Sequence, residues 1–231
     1  QQLVQDNPTT LSLAWNPRIP RLGREAYEAS LLLRKGKDAY ISDVDPEGKA
    51  LRAPERDEYF PRTYFEPSGI STAGMGYDLG SSPPRLEAIR RARDSGEAAF
   101  TPPLHFQYDE KLRVGVILME PVYRRDVALD SPAARREAFR GVITASYGLG
   151  SWAGKALARI DAHDVEVYIF DVTEPKAPAF LDFHPSLSGP QTLDKDPTLL
   201  LPALLKTGHE ATPWRIGGRD WLILTRPGPA S

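Results

Sequence analysis

Tyr77-Asp78-Leu79-Gly80-Ser81-Ser82-Pro83-Pro84-Arg85-Leu86-Glu87-Ala88-Ile89-Arg90-Arg91-Ala92-Arg93-Asp94-Ser95-Gly96 carries a bounded helix at the centre of the chain. Serine ahead of two prolines reads as a helix start, since proline suits a first turn whose amides have no partner. Leu86, Ile89 and Ala92 then recur at helical spacing, and Gly96 stops the helix. Upstream, the aromatic run Tyr59-Phe60-Pro61-Arg62-Thr63-Tyr64-Phe65-Glu66-Pro67 predicts a short strand closed by proline. Ser68 to Gly76 is a Gly/Ser/Thr-rich loop that delivers the chain to Tyr77. Downstream, Ala98 to Pro102 predicts a strand, and Leu112 to Tyr123 predicts the strongest one. There Val114, Val116 and Leu118 alternate with Gly115, Ile117 and Met119.

The rest of the chain is read outward from this centre. Leu3 to Trp15 is expected to be the tail of a longer helix broken near Pro8. A second helix is expected over Leu22 to Arg34, ended by Gly36, and a strand over Ala39 to Val44. A short helix is expected around Ser131 to Glu137, a strand over Phe139 to Tyr147 and a helix over Ser151 to Ile160. Val165 to Val172 alternates as a strand. Thr198 to Leu205 is an apolar run of no clear type. His209 to Ile216 and Asp220 to Arg226 read as a hairpin turning at Gly217-Gly218. Helices mixed with antiparallel hairpins, without regular strand–helix alternation, place the chain in the α+β class. Three parts are expected: an N-terminal helical segment over 1–36, one domain over 37–148, and a linker helix with a second domain over 149–231.

Composition narrows the function. The chain has 231 residues, 41% of them hydrophobic and 26% charged, which suits a packed globular protein. A net charge of -2 gives no field to attract nucleic acid, so no nucleic-acid partner is expected. With no cysteine, disulfides, thiolate catalysis and cysteine metal sites are excluded. The four histidines (His105, His163, His184 and His209) are scattered without ligand spacing. No catalytic constellation, metal site or cofactor is expected. No apolar run approaches the roughly 18–20 residues that span a bilayer.

The order and spacing of several segments resemble the CHASE domain, a sensory module of bacterial receptors and plant cytokinin receptors. The segments are Leu13-Ala14-Trp15-Asn16-Pro17-Arg18-Ile19-Pro20, Tyr59-Phe60-Pro61, Tyr64-Phe65-Glu66-Pro67, Gly76-Tyr77-Asp78-Leu79, Ala88 to Gly96, Pro121-Val122-Tyr123, Gly141-Val142-Ile143 and Val167 to Thr173. Ser71 departs from the pattern, standing where many relatives carry asparagine. The resemblance implies an N-terminal helix followed by two PAS-like domains, membrane-distal and then membrane-proximal. It also implies transmembrane helices before Gln1 and after Ser231, a homodimer in the full-length receptor, and a periplasmic position. The output would be a histidine kinase or a diguanylate cyclase. The alternative is an interaction module that takes no small molecule and answers a protein partner.

A small-molecule ligand is the expected partner. In the resembling plant receptors the aspartate of the Gly-aromatic-Asp-Leu segment meets the ligand, which places Asp78 in the site with Leu79 beside it. The competing reading makes Asp78 a carboxylate capping the helix that follows. Phe100 falls where a ligand-contacting leucine is expected, with Thr101 next to it. Glu120 falls at a pocket position and shares its strand face with Leu118. It is either a second acid in the site or a strand-end carboxylate paired with Arg124 or Arg140. Thr144 and Ser146, together with Val142, complete the expected site from the partner strand.

Overall fold

The computed structural model describes residues 10–35, 39–45, 47–67, 74–108, 111–150, 152–157, 164–186, 189, 191–193, 197–207 and 209–228. In chain order the strands and helices are β1 (Thr10–Pro17), β2 (Ile19–Pro20), α1 (Arg24–Lys35), β3 (Ser42–Val44), β4 (Ala50–Arg52), β5 (Glu58–Tyr59), β6 (Tyr64–Pro67), α2 (Pro83–Ser95), β7 (Ala99–Phe100), β8 (Leu104–Tyr108), β9 (Lys111–Tyr123), α3 (Pro132–Ala138), β10 (Phe139–Gly148), α4 (Trp152–Leu157), β11 (Val165–Asp171), β12 (Ala179–His184), α5 (Pro197–Leu204), β13 (Glu210–Ile216) and β14 (Arg219–Pro227). The fold is mixed α and β with antiparallel sheets, and the chain divides into two compact units. One unit comprises 1–101, 107–112 and 117–147, and the other 102–106, 113–116 and 148–231.

A six-stranded sheet runs β6-β1-β10-β9-β7, with β8 pairing to β9. Here the expectation of a helix tail over Leu3 to Trp15 is corrected, because Thr10–Pro17 is a strand. It pairs antiparallel with β10 from Thr10↔Tyr147 to Pro17↔Gly141, and with β6 from Ser12↔Pro67 to Trp15↔Tyr64. A strand flanked on both sides has its backbone groups satisfied by neighbours distant in sequence, which outweighs weak local preference. The N-terminal part of the expected helix, Ser71 and Ile160 lie outside the described residues. Gly141 makes the β1–β10 approach possible: its φ is 143°, and a Cβ there would stand 2.3 Å from Asn16 O and 2.7 Å from Pro17 Cα.

Beside this sheet, α1 buries Tyr27 and Leu31 against Ile41, Ala53 and Tyr59. Glu28, near the middle of α1, accepts from Ile41 N at 3.2 Å, Arg24 Nε at 2.9 Å and Arg52 at 2.6 Å. One carboxylate thus fastens the helix to the β3–β4 hairpin. The expected helix after Pro83 forms as read, with Gly96 at φ 81° supplying the left-handed C-cap. The last turn of α2 is held to α3: Arg136 donates to both Asp94 oxygens at 2.9 and 2.6 Å, and Arg93 donates at 2.7 Å.

The other unit carries a four-stranded sheet ordered β12-β11-β14-β13. Tyr168, Phe170 and Leu224 pack with Leu201 and Leu204, so the run left unassigned by sequence is the covering helix α5. Gly217 and Gly218, at φ 54° and 69°, turn β13 into β14 as a two-residue hairpin loop requires. Among the described residues no helix is long and apolar enough to cross a membrane.

Hydrogen bonds from Arg136 above all, with Arg93 beside it, hold the Asp94 carboxyl far below the usual carboxylate range. A depressed acid stabilises the fold above its unfolded pKa, and that contribution is lost as pH falls through the folded value. Asp94→Asn should therefore lower the melting temperature at pH 7, with the gap to wild type shrinking below about pH 4. A gap that does not change with pH would contradict the clamp.

Candidate functional site

The period of two along β1 sets the chemistry of the six-stranded sheet. Thr10, Ser12, Ala14 and Asn16 are buried, while Leu11, Leu13 and Trp15 alternate with them on the other face and are half-buried. On β10 the register sets Val142 opposite Asn16, Thr144 opposite Ala14 and Ser146 opposite Ser12, and all three are buried. The hidden face of these two strands is therefore small and polar, where a sheet packed for stability alone would be apolar. Asn16, fully buried, donates through Nδ2 to Thr144 Oγ1 at 3.1 Å and to Val142 O at 3.4 Å. Its other amide atom, Oδ1, is buried and has no hydrogen-bond partner among the described residues. Buried polar atoms are rarely left so, because each costs about 1–3 kcal/mol.

β7 and β9 extend this face on one side only. Ala99 pairs with Met119, Phe100 with Leu118, and Thr101 N donates to Ile117 O at 2.9 Å. Thr101 Oγ1 in turn accepts from Ile117 N at 3.0 Å. The Phe100 ring meets Tyr147, 6.3 Å between centroids, and Tyr147 alternates with Ser146 along β10. The expected site residues are thus divided. Thr101, Thr144 and Ser146 belong to the buried polar face, whereas Phe100, Leu118 and, by alternation, Glu120 belong to the opposite one. Glu120 is exposed and forms no ion pair among the described residues. The expected pairing with Arg124 or Arg140 is absent there, and Arg124 instead meets Glu137 at 3.4 Å.

Asp78 and Leu79 are both buried, and Asp78 caps the 3₁₀ turn Leu79–Ser81. Its Oδ1 accepts from Phe60 N at 2.7 Å and Gly80 N at 2.9 Å. Its Oδ2 takes Arg56 Nη1 at 3.0 Å, and Arg56 also holds Asp43 at 2.9 and 2.5 Å. The Asp78 backbone is equally committed, with N donating to Ser42 O at 2.8 Å and O accepting from Ser81 Oγ at 2.7 Å. Burial pushes the Asp78 carboxyl up from its ordinary value, against the pull of the two amides and Arg56. Both oxygens are occupied by the protein itself.

Sequence reasoning missed Asn16, Ser12 and Arg56. The first two had a signal: polar and apolar residues alternate from Thr10 to Asn16, and only the strand assignment shows that the polar side faces inward. Arg56 had none, since an arginine 22 residues before its partner looks like any surface cation.

The family model described as CHASE domain matches residues 1–181. Among solved structures, a chain titled Methyl-accepting Chemotaxis protein X aligns at 13% identity and a TM-score of 0.43. That alignment covers 98% of this chain and 78% of the other. An extracellular ligand binding receptor from Desulfohalobium retbaense DSM5692 aligns at 13% identity and a TM-score of 0.40, covering 88% of this chain and 32% of that one. No curated protein sequence matches.

If Asp78 ties the frame together, Asp78→Ala leaves two buried amides without their acceptor and Arg56 with Asp43 alone. Urea unfolding should then report a loss of about 3 kcal/mol. A loss under about 1 kcal/mol would mean that the carboxylate is not part of the frame.

Proposed function

The chain belongs to the CHASE domain family of extracellular sensor modules, and we propose that it is the sensory part of a membrane-bound bacterial receptor. Its two units are read as PAS-like domains, distal and proximal to the membrane, on the periplasmic side. Flanking transmembrane helices and a homodimeric receptor belong to the same reading, with a histidine kinase or diguanylate cyclase as the output. A ligand that binds one arrangement of the dimer better than the other would carry the signal, since only differential affinity shifts an equilibrium.

The ligand is a small molecule held on the polar face of the six-stranded sheet. The observation that carries this is the buried Oδ1 of Asn16, an acceptor without a donor in a face of hydroxyls. Thr144, Ser146 and Ser12 add hydroxyls on the same buried face, and placed polar groups of this kind set specificity. A carboxamide suits the edge of an adenine-like ring, whose exocyclic amine donates beside a ring nitrogen that accepts. Cytokinin- or adenine-like compounds are therefore the first class to test. Asp78 serves this site as a frame for its surroundings and not as a ligand contact, because its oxygens are already taken.

Calorimetric titration of the purified chain with adenine and N6-substituted adenines tests the reading. Binding should be saturable, and Asn16→Ala and Thr144→Val should each weaken it roughly ten-fold, about 1.4 kcal/mol. Affinity unchanged in both variants would remove the polar face from the site. No binding by the wild type would rule out this ligand class and favour a protein partner.

A further inference from the structure

A cavity of about 430 Å³ lies at the Pro17–Gly141 end of the β1–β10 pair, and all of its lining residues belong to the unit that begins with β1. Its volume suits a small molecule. Trp15, Phe139, Pro17 and Pro20 form its apolar part. The Trp15 ring lies against Gly141, where a Cβ would stand 2.9 Å from Cη2, so the glycine gives the indole its place. Phe139 is 3% exposed, and its ring packs with those of Phe60 and Tyr123, 6.2 and 5.9 Å between centroids. Both aromatic residues are therefore positioned by the fold itself.

The polar part is cationic. Arg18, Arg124 and Arg140 line the cavity against the carboxylate of Glu137. Arg18 donates through Nε to Glu58 at 2.7 Å. Arg124 meets Glu137 at 3.4 Å, a pair so open to water that it contributes little. Arg140 is exposed, and its side chain makes no ion pair or hydrogen bond among the described residues. With Glu58 answering Arg18 and Glu137 answering Arg124, one positive charge is left over. A monoanion balances it, a dianion overshoots it, and a cation is repelled. Pro17 and Pro20 have no N–H to offer, and the amides of Arg18 and Arg124 are bonded to Arg140 O and Ala138 O at 2.7 and 2.8 Å. The Arg140 guanidinium is thus left to meet an occupant, and its planar fork matches a carboxylate bidentately. The fixed rings of Trp15 and Phe139 suit a flat apolar body beside that charge.

We propose that this cavity binds a small aromatic carboxylate, with its ring against Trp15 and Phe139 and its carboxylate on Arg140. Neither Asn16 nor Thr144 lines the cavity, so the proposal is tested apart from the purine reading.

Equilibrium dialysis of the intact chain against radiolabelled phenylacetate measures the binding directly. Phenylacetate should bind saturably. Unlabelled acetate, which lacks the ring, and 2-phenylethanol, which lacks the charge, should each compete at least ten-fold more weakly than unlabelled phenylacetate. Arg140→Gln should weaken binding at least five-fold and leave the melting temperature unchanged, because the side chain has no protein partner to lose. Arg140→Lys keeps the charge without the fork, and it should weaken binding at least two-fold. Absence of saturable binding to the wild type overturns the proposal, as does an Arg140→Gln variant that binds like the wild type. Competition by acetate or 2-phenylethanol as strong as that by phenylacetate would overturn it too.

Discussion

The Asp78 carboxylate is the point on which the larger-sheet unit depends. It joins its own turn at Gly80 to the segment from Arg56 to Phe60 and, through Arg56, to Asp43. The backbone repeats the pattern, with Ser42 and Phe60 bonded to residues 78 and 79. A buried carboxylate so engaged is costly to desolvate and costly to disturb, and its removal would leave two amides unsatisfied and Arg56 with Asp43 alone. The position and slope of α2 follow from this joint, because the turn that Asp78 caps leads directly into Pro83. The Tyr77–Arg62 contact on the preceding residues depends on it as well.

Around that frame the six-stranded sheet departs from what stability alone would choose. β1 and β10 bury threonine, serine and asparagine where valine or leucine would contribute more, and they leave Leu13 and Trp15 only half-buried on the other face. Gly141 allows the two strands to approach so closely that any side chain there would strike Asn16 O. A polar hidden face with an orphaned acceptor is destabilising until something donates to it. That division of labour, with Asp78 holding the frame and the sheet presenting the open groups, follows from which oxygens and amides are already occupied.

Much of the architecture was legible because its signals are local. Ser82-Pro83-Pro84 with Gly96 bounds α2, the alternation from Leu112 marks β9, and Gly217-Gly218 announces the last hairpin. β1 was not, because its alternation is short and its strand state comes from pairing with β6 and β10, residues about fifty and more than a hundred positions away. The apolar run at Thr198 was too short to classify until Tyr168, Phe170 and Leu224 were seen beneath it as α5. Thr101, Thr144 and Ser146, named from their strand positions, lie on the buried polar face. Phe100, Leu118 and Glu120 were grouped with them, whereas the Phe100–Tyr147 ring contact and the Phe100–Leu118 pair put these three on the face of Tyr147. For Asp78 the capping role shows only in the positions of the Phe60 and Gly80 amides, which sequence does not give.

The decisive measurement is a crystal structure of the chain with a saturating adenine-type ligand. The expected result is a ligand donor within hydrogen-bonding distance of Asn16 Oδ1, Thr144 alongside, and the bonds from Asp78 to Phe60, Gly80 and Arg56 unchanged. A ligand seated on Asp78, with those bonds released and the Asn16 amide untouched, would contradict it.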